Sequence, residues 1–144
     1  MRFMPDINTL IAVAWPNHVH HRYARRWFLS NASAGWATCA FIQTGFLRLS
    51  MNSGVVGRDV SFREADTLLR RYTENPHHTL WNSLSSPHQW PDWLTARIQG
   101  HRQVSDAVLV DTVVRNDGML VTLDAGISSL LPSSEQERVR VIVP

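Results

Sequence analysis

The chain contains no lysine, and all 14 of its basic residues are arginine. Coding bias is the simplest reason, because a GC-rich genome favours arginine codons. The functional alternative is that guanidinium groups bind phosphate through two parallel hydrogen bonds, which an ammonium group does not do. With 12 acidic residues the net charge is only +2. This balance does not by itself indicate nucleic-acid binding.

Cysteine and long apolar runs are also scarce. Cys39 is the single cysteine among 144 residues, which excludes an internal disulfide and a cysteine-based zinc site. No apolar run approaches the ~18 residues of a membrane span. The N-terminal sequence MRFMPDINTL has neither the cationic start nor the apolar stretch of a signal peptide. We therefore expect neither a disulfide-rich secreted protein nor a membrane protein.

The hydrophobic pattern alternates between short apolar runs and helical periodicity along the whole chain. Residues 6–15, for example, place Ile7, Leu10, Ile11 and Ala14 on one helical face. Strands are predicted at residues 2–5, 35–38, 78–81, 119–123 and 137–143. Helices are predicted at residues 6–15, 18–30, 40–51, 62–72, 93–98 and 105–116, and a loop at 52–59. This order predicts an α/β fold with a central, mostly parallel sheet of about five strands flanked by helices.

Three aspartates occupy related positions in this predicted fold. Asp6 follows the first strand, Asp124 follows the strand MLVTL, and Asp106 is expected in the first turn of the helix before that strand. Ligands of open parallel sheets bind beyond the carboxyl ends of the strands, where these side chains can converge. Each aspartate alone is better explained as a helix cap or turn residue. Their coincidence favours a site.

Carboxylates that converge in one crevice repel one another, which raises their pKa values unless a cation neutralises them. Their oxygen atoms are the ligands that a hard divalent cation prefers. We therefore predict a Mg²⁺ or Mn²⁺ site at Asp6, Asp106 and Asp124. Such a site can lower the pKa of a bound water and stabilise the leaving oxygen of a phosphodiester.

Three segments carry a family resemblance that covers nearly the whole chain: PDINTLIAVAW, GWATCAFIQTGFLRLS and HRQVSDAVLVDTVVRNDGMLVTLDAGI. In this order the sequence resembles the PIN-domain family, and more closely the VapC-like toxins of bacterial toxin–antitoxin pairs. The resemblance implies a single PIN-like domain over residues 1–144. It also implies a Mg²⁺- or Mn²⁺-dependent endoribonuclease toxin that hydrolyses RNA. The expected protein is a cytoplasmic homodimer that a small cognate antitoxin inhibits.

The resemblance also assigns roles to individual residues. Asp6, Asp106 and Asp124 match three acidic positions of the family, at which the catalytic metal is expected. Asn8, Ser105 and Thr122 match polar positions that support the site. Arg102, just before Ser105 and Asp106, is our predicted phosphate contact.

Gln43 departs from the family pattern, in which many members have a glutamate at this position. An amide oxygen can still approach a metal or its bound water, but it supplies neither a negative charge nor a base. Gln43 is thus either an assisting catalytic residue or a polar residue that pairs within the helix. This residue also motivates an alternative function, a non-catalytic RNA- or antitoxin-binding module. A third alternative, an aspartyl-phosphate phosphotransferase, is disfavoured because it needs a second acid at Asn8 and a lysine.

Histidines and tryptophans supply weaker candidates. His18, His20 and His21 are interpreted as the solvated start of a helix, because no carboxylate lies close to them in sequence. Trp90 and Trp93 lie in a proline-flanked connection and are candidate platforms for an unstacked RNA base.

Overall fold

Five short strands form one parallel sheet in the computed structural model, which describes residues 1–82 and 84–143. The spatial order is β3-β2-β1-β4-β5, and every neighbouring pair runs parallel. The strands are β1 (Phe3–Pro5), β2 (Trp36–Cys39), β3 (His78–Trp81), β4 (Met119–Thr122) and β5 (Val139–Val141). The predicted α/β fold class with about five mostly parallel strands is confirmed.

Helices make the connections between successive strands, as parallel pairing requires. The α-helices among the described residues are α1 (Ile7–Ala14), α2 (His21–Asn31), α3 (Ala40–Ser50), α4 (Ser53–Val56), α5 (Phe62–Thr73), α6 (Asp92–Thr95) and α7 (His101–Arg115). Short 3₁₀ turns cover Ala32–Ala34, Pro87–Gln89, Ala125–Leu130 and Ser133–Arg138. None of the helices in this part of the chain is both long and apolar enough to cross a bilayer.

Two helix starts follow directly from side-chain caps. Asp6 accepts a hydrogen bond from the Thr9 backbone N–H at 2.9 Å, which fixes the start of α1. Ser61 accepts one from the Glu64 N–H at 3.1 Å and fixes the start of α5. Both helices accordingly begin within a residue of their predicted positions.

The predicted loop at residues 52–59 was wrong in part, because it contains α4. The Asn52 side chain accepts a hydrogen bond from the Gly54 N–H at 3.0 Å and caps this helix. Gly57 ends it in the left-handed conformation, with φ of 83°. The cap and the terminating glycine thus enclose a single helical turn that is too short to show a hydrophobic period.

The predicted start of α7 was also wrong, and this changes the position of Asp106. The helix begins at His101 instead of 105, so Asp106 lies in its second turn. Gln103 accounts for the difference, because its side-chain oxygen accepts a hydrogen bond from the Gly100 N–H at 3.1 Å. A glutamine at this position satisfies backbone donors that precede the helix.

The core lies on both faces of the sheet, and α1 is buried continuously from Thr9 to Ala14. Trp90 belongs to this core with 8% of its surface exposed, and Trp93 packs against it. The prediction that Trp90 stacks on an RNA base was therefore wrong. A buried indole removes a large apolar surface from water, which stabilises the protein more than an exposed indole in a loop would.

Candidate active site

Asp6 lies at the carboxyl end of β1 and is buried. Its Oδ1 accepts the capping hydrogen bond from Thr9, and its Oδ2 accepts a hydrogen bond from the Thr122 hydroxyl at 2.6 Å. The Asp6 N–H donates to the Val121 carbonyl at 2.9 Å, which continues the pairing of β1 with β4. These three contacts fix the carboxylate between two neighbouring strand ends.

Thr122 connects Asp6 to Asp124, although the two aspartates are more than a hundred residues apart in sequence. The hydroxyl that donates to Asp6 also accepts a hydrogen bond from the Asp124 N–H at 2.9 Å. Asp124 Oδ1 in turn accepts one from the Gly126 N–H at 2.8 Å. The second carboxylate is therefore held by the turn that leaves β4.

Asp106 reaches the same region from the second turn of α7. A cavity of about 210 Å³ is lined by Asp6, Asn8, Ser105 and Asp106, among other residues. A second cavity of about 370 Å³ is lined by Asp6, Asn8, Asp106 and Asp124. Because Asp6, Asn8 and Asp106 line both, we treat the two cavities as one site, hereafter the acidic cavity.

The electrostatics of the acidic cavity reflect burial and mutual repulsion. Burial raises the pKa of Asp6, the hydrogen bonds from Thr122 and Thr9 lower it, and the charge of Asp124 raises it further. Burial also raises the pKa of Asp106, and the charges of Asp124 and Asp6 add to this effect. A cation bound among these groups would relieve the repulsion.

The donor chemistry of the acidic cavity fits a hard divalent cation, because three carboxylates and the Asn8 amide line it. Within residues 1–82 and 84–143, no three side chains of His, Cys, Asp or Glu converge closely enough to enclose one ion. Mg²⁺ does not need such an enclosure, because it keeps several waters and binds proteins through about one or two carboxylates. The fit therefore rests on the oxygen donors and on the raised pKa values of Asp6 and Asp106.

Two of the predicted site residues neither line the acidic cavity nor hydrogen-bond to a carboxylate that does. The Gln43 amide donates a hydrogen bond to the Thr38 hydroxyl at 3.0 Å, and that hydroxyl lies 2.8 Å from Nε2 of His78. Arg102 is exposed on the first turn of α7 and is absent from the lining. The remaining predicted residues, Asp6, Asn8, Ser105, Asp106, Thr122 and Asp124, either line the cavity or hydrogen-bond to a carboxylate that does.

Sequence reasoning missed three polar residues that line the acidic cavity. Arg48, in the last turn of α3, lines the part that contains Ser105. His18 and His20, in the segment between α1 and α2, line the part that contains Asp124. No local pattern marks these residues, because each reaches the cavity through the packing of elements that are distant in sequence.

Comparison with known proteins gives several similar chains. No family model matches this sequence. It is 34% identical over 137 residues to the ribonuclease VapC38 of Mycobacterium tuberculosis, a match that covers 95% of each chain. Identity is 35% over 133 residues to the ribonuclease VapC39 of that organism, covering 89% of this chain and 92% of the relative. Identity to its ribonuclease VapC44 is 31% over 143 residues, covering 99% of this chain and 100% of the relative.

Proposed function

Because the chain belongs to the VapC family, we propose that it is a metal-dependent endoribonuclease and the toxin of a VapBC-like toxin–antitoxin pair. One observation carries the proposal: three carboxylates from β1, α7 and β4 line one acidic cavity, where burial and mutual charge raise the pKa values of Asp6 and Asp106. The relatives named above are ribonucleases by name. The acidic cavity is the place in this chain where such chemistry has suitable groups.

Asp6, Asp106 and Asp124 are the residues that would hold Mg²⁺ or Mn²⁺. The bound cation supplies a water of lowered pKa for attack on the phosphodiester and stabilises the charge of the departing oxygen. Thr122 orients two of the three carboxylates, because it donates to Asp6 and accepts from the Asp124 backbone. A fixed ligand geometry of this kind lowers the cost of binding the cation.

The remaining polar residues bind the RNA or support the site. Asn8 and Ser105 offer neutral donors and acceptors to substrate or water at the cavity wall. Arg48 is the arginine that lines this wall, so we assign it the phosphate contact nearest to the carboxylates. Arg102 is a contact further along the RNA, because it is exposed on α7 one turn before Asp106.

The proposed partners follow from the family. We propose a homodimer in the cytoplasm that binds RNA as substrate and is inhibited by a small cognate antitoxin.

The test is RNA cleavage by the purified protein in Mg²⁺ or Mn²⁺, beside EDTA and the Asp6→Asn variant. Asparagine keeps the oxygen that accepts the Thr9 N–H, so this variant retains the cap of α1 and removes one charge. We expect the rate to fall by about a hundredfold or more, which corresponds to the loss of several kcal/mol of stabilisation by the metal. The matched control is Asp59→Asn, which changes an exposed aspartate that does not line the acidic cavity. Cleavage that persists in EDTA would contradict the metal mechanism.

Gln43 keeps a second candidate function open, a non-catalytic module that binds RNA or antitoxin. The observation that favours it is the Gln43 amide, which donates to Thr38 while the acidic cavity lacks a fourth carboxylate from α3. RNA binding without cleavage would support this function. Restoration of cleavage by Gln43→Glu would then show that the missing carboxylate is the cause.

A further inference from the structure

The acidic cavity has a second group of polar side chains, which the proposed metal chemistry does not use. His18 and His20 line it together with the three carboxylates, and they come from the segment between α1 and α2. Within the described residues, neither imidazole forms an ion pair with a carboxylate. They are therefore available to something else that enters the cavity.

The backbone fixes which nitrogen of His18 is available. The N–H of His20 donates a hydrogen bond to Nδ1 of His18 at 3.0 Å. Nδ1 must keep its lone pair for this contact, so the proton of the neutral ring resides on Nε2. Burial, with the neighbouring charges of His20 and His21, lowers the pKa of His18, which keeps the ring neutral near pH 7. His18 thus presents a neutral Nε2–H donor.

The segment that carries this donor is attached to the body of the protein. Nδ1 of His21 lies 2.8 Å from the Ala12 carbonyl of α1, a contact in which the ring nitrogen must donate. The rings of His18 and His20 lie 5.7 Å apart. These contacts hold His18 in place before any ligand arrives, which reduces the entropy lost on binding.

A neutral donor suits the part of the cavity that contains Asp124 better than a second permanent cation would, because Arg48 already lines the part that contains Ser105. An arginine at this position would pair with the carboxylates and compete with the metal. A neutral imidazole N–H leaves the carboxylates free, yet still donates to the charged oxygen of a phosphate, and such hydrogen bonds are stronger than those between neutral groups. The chemistry that matches this arrangement is the phosphodiester backbone of RNA.

We propose that His18, supported by His20, is a substrate-binding residue of the acidic cavity and donates its Nε2–H to a phosphate oxygen of RNA. This inference rests on the proposed ribonuclease function.

Two variants of His18 separate the donor from the fold of the segment. In His18→Asn the amide oxygen takes the place of Nδ1, so it can still accept the His20 N–H, but the Nε2–H donor is lost. In His18→Gln the amide N–H₂ takes the place of Nε2 and restores a donor. His88→Asn is the matched control, because His88 is exposed and does not line the acidic cavity.

Binding is measured by the fluorescence anisotropy of a labelled single-stranded RNA oligonucleotide in Ca²⁺, a hard cation that takes oxygen ligands. We expect His18→Asn to raise the Kd for RNA about tenfold. The Kd values of His18→Gln and His88→Asn should stay within about threefold of that of the unaltered chain. The affinity for Mn²⁺, measured by the electron paramagnetic resonance of the free ion, should be the same in all four proteins. Steady-state cleavage should show a raised KM in His18→Asn with a smaller change in kcat.

Three results would overturn the inference: an unchanged RNA affinity in His18→Asn, an equal loss of Mn²⁺ affinity in that variant, or no RNA binding by the unaltered chain. Loss of Mn²⁺ affinity would identify His18 as a metal ligand instead. RNA binding without cleavage would overturn the ribonuclease proposal alone. In that case the loss of RNA affinity in His18→Asn would still support the role of His18.

Discussion

At the scale of single residues, the carboxylates of the acidic cavity are held at a cost to the stability of the protein. Asp6 is buried with two hydrogen bonds, and its pKa and that of Asp106 are raised. A raised pKa means that folding disfavours the charged form of the carboxyl group. Groups arranged for a ligand commonly lower stability in this way while the ligand is absent.

Asp106→Asn should therefore stabilise the metal-free protein at neutral pH. Because the pKa of Asp106 is raised in the fold, the native state binds more protons than the unfolded state between the ordinary value of 3.8 and the raised value. Stability then falls as the pH rises through this window. We expect Asp106→Asn to unfold at a higher urea concentration than the unaltered chain at pH 7.5 in EDTA. The free energy of unfolding should increase by up to about 1 kcal/mol, because the group is partly exposed. This advantage should vanish below the ordinary pKa, where Asp106 is protonated.

The control for this prediction is Asp59→Asn, an exposed aspartate outside the acidic cavity, which should change the free energy of unfolding by less than about 0.5 kcal/mol. Adding Mn²⁺ should stabilise the unaltered chain more than Asp106→Asn. Equal urea midpoints for the unaltered chain and Asp106→Asn at pH 7.5 would contradict the cost that burial and the neighbouring charges impose on the Asp106 carboxylate.

Some residues of the acidic cavity could be predicted from the sequence, because their positions depend on residues close to them in the chain. Asp6 and Asp124 each follow a short apolar strand, so their position at a strand end can be read from neighbouring residues. Arg48 and His18 could not be found this way. Arg48 reaches the cavity because α3 packs against α1, and His18 reaches it because the segment between α1 and α2 lines the same part of the cavity as Asp124.

At the scale of elements, the close packing of α1 and α3 positions the start of α1. Gly45 is buried on α3, and a Cβ atom added there would lie 2.8 Å from Cγ1 of Ile7, with Cδ1 closer still. Ile7 is the residue directly after Asp6. A glycine at this position therefore lets α3 approach the capped end of α1 that presents the carboxylate.

Gly45→Ala should consequently destabilise the protein, although alanine favours a helix over glycine by about 1 kcal/mol. We expect the overpacking to dominate and the net loss in urea unfolding to be about 1–2 kcal/mol. Adding Ile7→Ala removes the clashing atoms, so the two substitutions should couple by at least about 1 kcal/mol in a double-mutant cycle. Gly100→Ala is the matched control, because a Cβ there has nothing within 4 Å. Additive effects of the two substitutions would contradict this account of the packing.

The starts of α1 and α5 were predicted well, because a capping residue stands directly before each helix, and the start of α7 was not. The helix α5 was predicted to within one residue, since Ser61 and Glu64 mark its start in the sequence. The start of α7 was missed by four residues, because Gln103 caps it from inside the helix. Asp106 was nonetheless predicted in the site. The error of four residues places it about one helical turn further into the same helix, a shift of about 5.4 Å along the axis.

At the scale of the whole molecule, the arginines divide into those that form ion pairs with acidic side chains and those that do not. Several arginines form ion pairs with nearby acids: Arg58 with Glu64, Arg70 with Asp66, Arg115 with Asp111, and Arg138 with Asp117 and Glu135. The net charge is only +2 because 12 acidic residues balance most of the 14 arginines. Arg48 forms no ion pair within the described residues and lines the acidic cavity. Ten of the 14 arginines lie outside these ion pairs, so the position of an arginine at the acidic cavity, rather than the total number, is what we expect to determine how RNA is held there.

The position of Arg48 predicts that this residue makes its own contribution to the salt dependence of RNA binding. Each phosphate neutralised on a single strand contributes about −0.7 to the slope of log K against log salt concentration. Arg48→Ala should therefore make the slope shallower by about 0.7, measured by anisotropy with labelled single-stranded RNA from 50 to 300 mM salt at a fixed divalent concentration. The control is Arg63→Ala on α5, an exposed arginine outside the acidic cavity, which should leave the slope unchanged. An equal change of slope in both variants would mean that RNA is held by a diffuse arginine surface and not by a contact at the cavity.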